Sequence, residues 1–130
     1  MSERLAPVAP EFFVRDMDAS VRFYSDGLGF QVLRREPDFA VLALGECHVL
    51  LAAEAVGGPN MAARLTSGPR GVGLNVRLMV DDVDEQYRRV RAAGAPITMA
   101  IADRPYGLRD FIMADPDGFL LRFASPLATR

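Results

Sequence analysis

The sequence predicts an α+β protein in which two βαβββ modules, residues 8–54 and 72–126, follow one another across a linker, 55–71, within a single domain of 1–130. One observation behind this is an internal repeat. Val14-Arg-Asp-Met-Asp18, followed by Val21, Tyr24, Gly29 and Val32, returns as Val80-Asp-Asp-Val-Asp84, followed by Tyr87, Val90, Gly94 and Ile97. A second is that each copy leads into two further apolar runs, Phe39 to Leu44 and Val49 to Leu51 in the first, Phe111 to Met113 and Phe119 to Phe123 in the second. A repeat of half the chain implies two like units about a pseudo-two-fold axis, so the expected fold is a cupped mixed sheet around a central cavity.

Each element has a local reason. Val8 to Val14 reads as the first strand. Asp18 to Gly27 reads as a helix, because Met17, Val21, Tyr24 and Leu28 recur at helical spacing. Asp84 to Ala93 is its counterpart, with Val83, Tyr87 and Val90 in the repeated positions. Asp16, Asp18, Asp82 and Asp84 stand where a carboxylate caps exposed amides, and Gly29 and Gly94 where helices end. Strands are predicted over 31–36, 38–45 and 47–54, then over 96–102, 108–114 and 118–124. Asp115-Pro-Asp-Gly118 joins the last two as a turn, since Pro presets one dihedral and Gly admits a positive one. The linker is rich in Gly and Pro, with a short helical turn expected near Met61 to Leu65, and a connection of this length is able to cover a groove.

Composition narrows the function. Of 130 residues half are hydrophobic and a quarter charged, enough for a proper core, and the net charge of −2 leaves no footprint for nucleic acid or a membrane surface. No apolar run approaches a membrane span, and a cytoplasmic protein is expected. All 15 basic residues are arginine, so Schiff-base and pyridoxal chemistry, which need a lysine amine, are excluded. Cys47 is the one cysteine and His48 the one histidine. Adjacent on a strand, they point to opposite faces and cannot form a nucleophile–base dyad; Cys47 reads as an inert core thiol.

Asp16-Met-Asp-Ala-Ser-Val-Arg-Phe-Tyr24 with Leu28-Gly-Phe30, Val80-Asp-Asp-Val-Asp84 with Ala93-Gly94, and Pro105-Tyr-Gly-Leu-Arg109 with Asp115-Pro-Asp-Gly118 resemble the glyoxalase/bleomycin-resistance/dioxygenase superfamily, the vicinal oxygen chelate proteins. The resemblance runs from Val8 to Pro126 and implies two βαβββ modules around a cavity, commonly in a homodimer. Its members include metal-dependent lyases, isomerases and dioxygenases, thiol transferases that inactivate antibiotics, and metal-free proteins that sequester drugs. In the metal-dependent members four ligands, usually His, Glu or Gln, come from the first and last strands of each module. The matching positions here are Ala9, Leu50, Asn75 and Arg122. None is an ordinary ligand for a divalent ion, and Arg122 brings a permanent positive charge, so no metal and no cofactor are expected.

Strand alternation checks this placement. Phe12 and Val14, Val49 and Leu51, Leu74, Val76, Leu78 and Val80, and Leu121 and Phe123 form the apolar, helix-facing set. The cavity side then carries Ala9, Glu11, Phe13, His48, Leu50, Ala52, Gly73, Asn75, Arg77, Met79, Leu120, Arg122 and Ala124. An apolar wall with a few placed polar groups suits a small molecule. Either Glu11 pairs with Arg122, or Arg122 and Arg77 hold an anionic group; the alternative for Glu11 and Arg77 is to sit at strand ends and point into water. Tyr106 and Phe111 are the expected aromatic wall that the family resemblance implies, while Arg109 ties the loop.

Two functions compete. One is metal-free sequestration of a partly aromatic, neutral or anionic molecule, resembling antibiotic resistance. Its ligand-binding candidates are Glu11, Phe13, His48, Leu50, Asn75, Arg77, Met79, Tyr106, Phe111 and Arg122. The other is a lyase-, isomerase- or dioxygenase-like enzyme using Glu11 or His48 as acid or base, or a displaced metal site. A cationic drug of the bleomycin type would be repelled by Arg77 and Arg122.

Overall fold

Asp16 and Asp82 start the two long helices in the same way, each carboxylate accepting a backbone N–H three residues on, from Ala19 and Glu85, at 3.0 Å. A computed structural model describes residues 4–65 and 67–127. The first module is β1 (Glu11–Val14), α1 (Met17–Arg22), β2 (Gln31–Glu36), β3 (Phe39–Leu44) and β4 (Cys47–Ala53). α2 (Gly58–Ala62) lies in the linker. The second module is β5 (Asn75–Met79), α3 (Val83–Ala92), β6 (Ile97–Asp103), β7 (Leu108–Ala114) and β8 (Leu120–Pro126). The two modules form two four-stranded mixed sheets of matching order, β1-β4-β3-β2 and β5-β8-β7-β6, in which the first strand runs parallel to the last and the other pairs are antiparallel.

The repeat is imperfect by one residue, and the fold shows where it goes. Asp16 to Gly29 is one residue longer than Asp82 to Gly94. α1 accordingly gives way to a π-helical turn, Phe23–Gly27, closed by Leu28 N–H to Phe23 C=O at 3.0 Å. A π turn is how a helix absorbs a single inserted residue. The predicted Asp18–Gly27 helix is therefore six α-helical residues and this turn.

Two strand expectations change. β1 begins at Glu11, because Pro10 has no N–H with which to extend the ladder; Ala9 lies outside it and Val8 is 83% exposed. Leu74, expected to face the helices, precedes β5 and is 56% exposed. Alternation otherwise holds. Phe12, Val14, Leu42, Val49 and Leu51 of one sheet and Leu78, Phe111, Met113, Leu121 and Phe123 of the other pack with Tyr24, Leu28, Val83 and Val90 into one apolar cluster.

The Asp115–Gly118 turn holds this arrangement together. Asp115 accepts the Tyr24 hydroxyl at 2.6 Å and the backbone N–H groups of Asp117 and Phe119 at 2.9 Å. Asp117 accepts the Arg15 backbone N–H at 3.0 Å and its guanidinium at 3.1 Å. Phe119 stacks on Phe12, ring centroids 4.4 Å apart. Gly118 is required by close approach: a Cβ there would lie 2.7 Å from Pro69 Cα. Among the described residues no helix is long and apolar enough to cross a membrane.

Burial raises the Asp115 carboxyl from an ordinary 3.8 to about 6, against the hydrogen bonds from Tyr24 and Phe119 that favour its charge. Between those values the folded chain holds a proton that the unfolded chain has released. The contribution is therefore fully present below 3.8 and is lost as pH rises to about 6. Asp115→Asn should remove this part of the pH dependence, seen as a flatter plot of urea-unfolding free energy across that interval.

Candidate functional site

Glu11 and Phe13 alternate onto the inner face of β1, beside their register partners Leu50 and Ala52 on β4. The linker folds over this face. A 3₁₀ turn, Glu54–Gly57, leads into α2, whose first turn contains Pro59. Gly57 lets the helix close down: a Cβ at that position would sit 2.4 Å from Met61 Cβ and 3.0 Å from Phe13 Cε1. Between sheet and linker lies a cleft of about 370 Å³, at the small end for a ligand site, walled by Phe13, Met61, Leu65, Val72 and Phe119 with Glu11 and Arg64 among its polar groups.

Arg70 pins the linker. It is 7% exposed, donates to the Phe13 carbonyl at 2.8 Å, pairs with Glu54, and lies 3.8 Å from Asp117. One buried guanidinium thus joins the end of β4, the edge of β1 and the Asp115–Gly118 turn.

The inner face of the second sheet carries a different chemistry. Arg77 on β5 is the register partner of Arg122 on β8, and Arg122 of Ile112 on β7. Fully buried Asp110 accepts Arg104 Nε at 2.8 Å, the Tyr106 hydroxyl at 2.6 Å and Arg122 Nη1 at 2.9 Å. Burial opposes its ionisation, but these three donors outweigh it and hold the carboxyl below its ordinary value. Arg122 Nη1 also donates to the Tyr106 oxygen at 2.8 Å, and the Arg77 guanidinium lies 5.9 Å from the Tyr106 ring centroid. Asn75, Arg77 and Met79 are exposed along the open edge of the sheet.

Against the sequence-based expectations, several placements differ. Arg122 is engaged by Asp110 and Tyr106, not by Glu11, and neither Arg77 nor Arg122 walls the cleft that holds Glu11 and Phe13. Phe111 is a core residue, edge-on to Tyr87 at 4.8 Å and stacked on Phe123 at 5.5 Å. Its register partner is Phe123, and partners across two strands share a face, so it looks toward the helices. His48 Nδ1 accepts the Ala6 N–H at 2.7 Å, which ties the N-terminal arm to β4 and occupies the nitrogen a general base would use. Cys47 donates its thiol to the Met79 carbonyl at 3.7 Å, and burial pushes its pKa up, away from thiolate reactivity. Arg109 ties Asp84 and Asp103, at 3.1 and 3.0 Å.

Asp110, Arg104 and Arg70 were missed from sequence. Asp110 had a signal: it is the one acidic residue of β7, opposite Ala124 on the cavity face. Arg70 had none, since its partners are 16, 47 and 57 residues away.

The donor set does not fit a divalent ion. The four positions the family resemblance assigns to metal ligands carry a methyl, an isobutyl, an amide and a guanidinium already paired with Asp110.

The family profile of the glyoxalase/bleomycin resistance protein/dioxygenase superfamily matches residues 4–123, and the chain belongs to that superfamily. It is 31% identical over 124 residues to a bleomycin resistance protein from Geobacillus stearothermophilus, covering 88% of this chain and 92% of that one. Among solved structures it is similar to a glyoxalase/bleomycin resistance protein/dioxygenase family enzyme from Burkholderia phytofirmans PsJN, at 28% identity and a TM-score of 0.74, over 92% of this chain and 97% of that one. The bleomycin resistance determinant encoded on transposon Tn5 is similar at 26% identity and a TM-score of 0.71, over 93% and 98%.

Arg70→Ala should lower stability by about 1.5–3 kcal/mol, the scale of hydrogen bonds to a charged group. Hydrogen exchange should quicken in residues 58–65 while β7 stays protected, read by mass spectrometry. Because the depressed Asp110 pKa acts below 3.8, its contribution is lost only as pH falls past that value, separate from the Asp115 interval.

Proposed function

We propose that this protein binds and sequesters a partly aromatic small molecule, neutral or anionic, without a bound metal and without turnover, as a soluble protein of the cytoplasm. The observation that carries this reading is the mostly apolar cleft under the linker, where Phe13, Phe119, Met61 and Leu65 offer area and Glu11 and Arg64 offer orientation. The absence of a usable donor set at Ala9, Leu50, Asn75 and Arg122 supports a site without a Lewis acid. An acid–base role for Glu11 or His48 has less support: His48 Nδ1 is taken by Ala6, and Glu11 is exposed.

The reading includes a homodimer. Among the described residues the outer edges of β1 and β5 pair with no strand, and Val72, Leu74 and Met79 expose 86%, 56% and 44% of their surface along the β5 side. A second copy placed there would cover this apolar edge and wall in the inner face of the second sheet.

The relatives named for bleomycin resistance motivate a second ligand, a cationic glycopeptide drug. Arg77 and Arg122 on the second sheet and Arg64 in the linker weigh against it electrostatically.

A thermal-shift screen of aromatic acids, neutral aromatics and bleomycin decides between these, with elemental analysis of the purified protein alongside. An aromatic acid or neutral aromatic should raise the melting temperature, and Phe13→Ala should weaken its binding by about 1–3 kcal/mol, the value of lost apolar and ring contact. Stoichiometric divalent metal, or a response to bleomycin alone, would refute the reading. Sedimentation equilibrium should return twice the 14.2 kDa chain mass.

A further inference from the structure

Arg122 uses only half of its guanidinium. Nη1 spends its two hydrogens on the Tyr106 oxygen, at 2.8 Å, and Asp110 Oδ2, at 2.9 Å. Nε is buried and has no partner, and Nη2 has none among the described residues. Nε–H and Nη2–H lie on the same edge of the planar group and point the same way, the spacing that meets both oxygens of one carboxylate. A buried donor with nothing to donate to demands an explanation, and one that is a bidentate edge has a specific one. The side chain as a whole keeps 16% exposure, while its Nε is closed to solvent.

Its surroundings fit the same ligand. Asp110 shares its charge between Arg104 and Arg122, and Arg77 stands beside Arg122 in register, so two guanidinium groups meet this carboxylate, a third lies next to them, and positive charge is in excess. Arg77 and Arg122 both approach Tyr106, one over its ring and one at its hydroxyl, which keeps the two cations close despite their repulsion. Ile112 is the register partner of Arg122 and Leu120 lies two residues before it, so an apolar floor borders the charge.

We propose that the inner face of the second sheet is a carboxylate receptor. The carboxylate of a planar, largely apolar acid seats two-pronged on the Nε–Nη2 edge of Arg122, with Arg77 supplying further positive potential and Leu120 and Ile112 the floor for the ligand body. Asp110 and Tyr106 are positioning residues: they hold the Nη1 end so that the opposite edge is presented without further loss of side-chain freedom. This narrows the ligand class of the small-molecule reading above and rests on that reading.

The test uses the ¹⁵N-labelled full chain and follows the Arg122 Nε–H resonance in titrations with benzoate, with benzamide as its uncharged equivalent in shape, and with inorganic phosphate. Benzoate should shift that resonance saturably, and benzamide should bind at least about tenfold more weakly, as loss of a charge-assisted pair requires. Arg122→Lys keeps the charge but not the fork and should lose at least about tenfold for benzoate. Arg77→Gln should lose a smaller factor. Equal shifts with benzoate and benzamide, no shift with benzoate, or phosphate binding as tightly as benzoate each overturn the proposal. These comparisons on the unsubstituted protein hold whether or not Arg122→Lys folds. A ligand found by thermal shift that is sensitive to Phe13→Ala, with Arg122 silent to benzoate, would sink the carboxylate receptor and leave the sequestering reading standing.

Discussion

Two carboxylates of one four-residue turn, Asp115 and Asp117, sit in the interior and are each answered from the other half of the chain. Tyr24 reaches Asp115, and Arg15 and Arg70 reach Asp117. An ionised group out of water is costly unless its lone pairs are filled, so the turn is stable only when the first module and the linker are in place around it. The apolar cluster supplies the bulk of the burial but is not directional; these hydrogen bonds set how the halves meet. Gly118 serves the same end by letting the backbone of Pro69 pass where a side chain would collide.

Everything that shapes the cleft descends from that junction. Arg70 Nη1 donates to the Phe13 carbonyl and lies near Asp117, and Nη2 pairs with Glu54, so the linker is fixed to both modules at one point. From there the chain has only to close back over β1, which the absence of a side chain at Gly57 permits. The cleft is therefore a consequence of a tether and not of linker sequence alone. Its walls are mostly apolar because the underside of a short helix and the inner face of a strand turn toward each other.

The second sheet solves a different electrostatic problem. Three arginines and one aspartate on a half-buried face would repel one another if the carboxylate were not saturated with donors and held ionised. Asp110 performs that role, and Tyr106 bridges it to Arg122 by donating to one and accepting from the other. A network of this kind stabilises modestly but fixes side-chain direction well. The result is a cationic surface on one sheet and an apolar slot on the other.

The repeat, the helix caps at Asp16 and Asp82, the strands of both modules and the helix-facing alternation were legible in the sequence, because each depends on neighbours a few residues apart. β2 and β7 begin and end where the periodicity placed them. The same period of two put Glu11 and Phe13 on the face of β1 opposite to Phe12 and Val14, and Arg122 on the face of β8 opposite to Leu121 and Phe123. Phe111 was misread because an aromatic near a loop looks the same from sequence whether it turns to the core or to the cavity; only its register with Phe123 distinguishes them. The pairing of Arg122 with Asp110, the tether at Arg70 and the burial of Asp115 were decided by tertiary structure alone. Local propensity carries no information about which of fifteen arginines a distant carboxylate will meet. That choice is made by the desolvation of the carboxylate once the sheets have closed, and by the geometry they leave it.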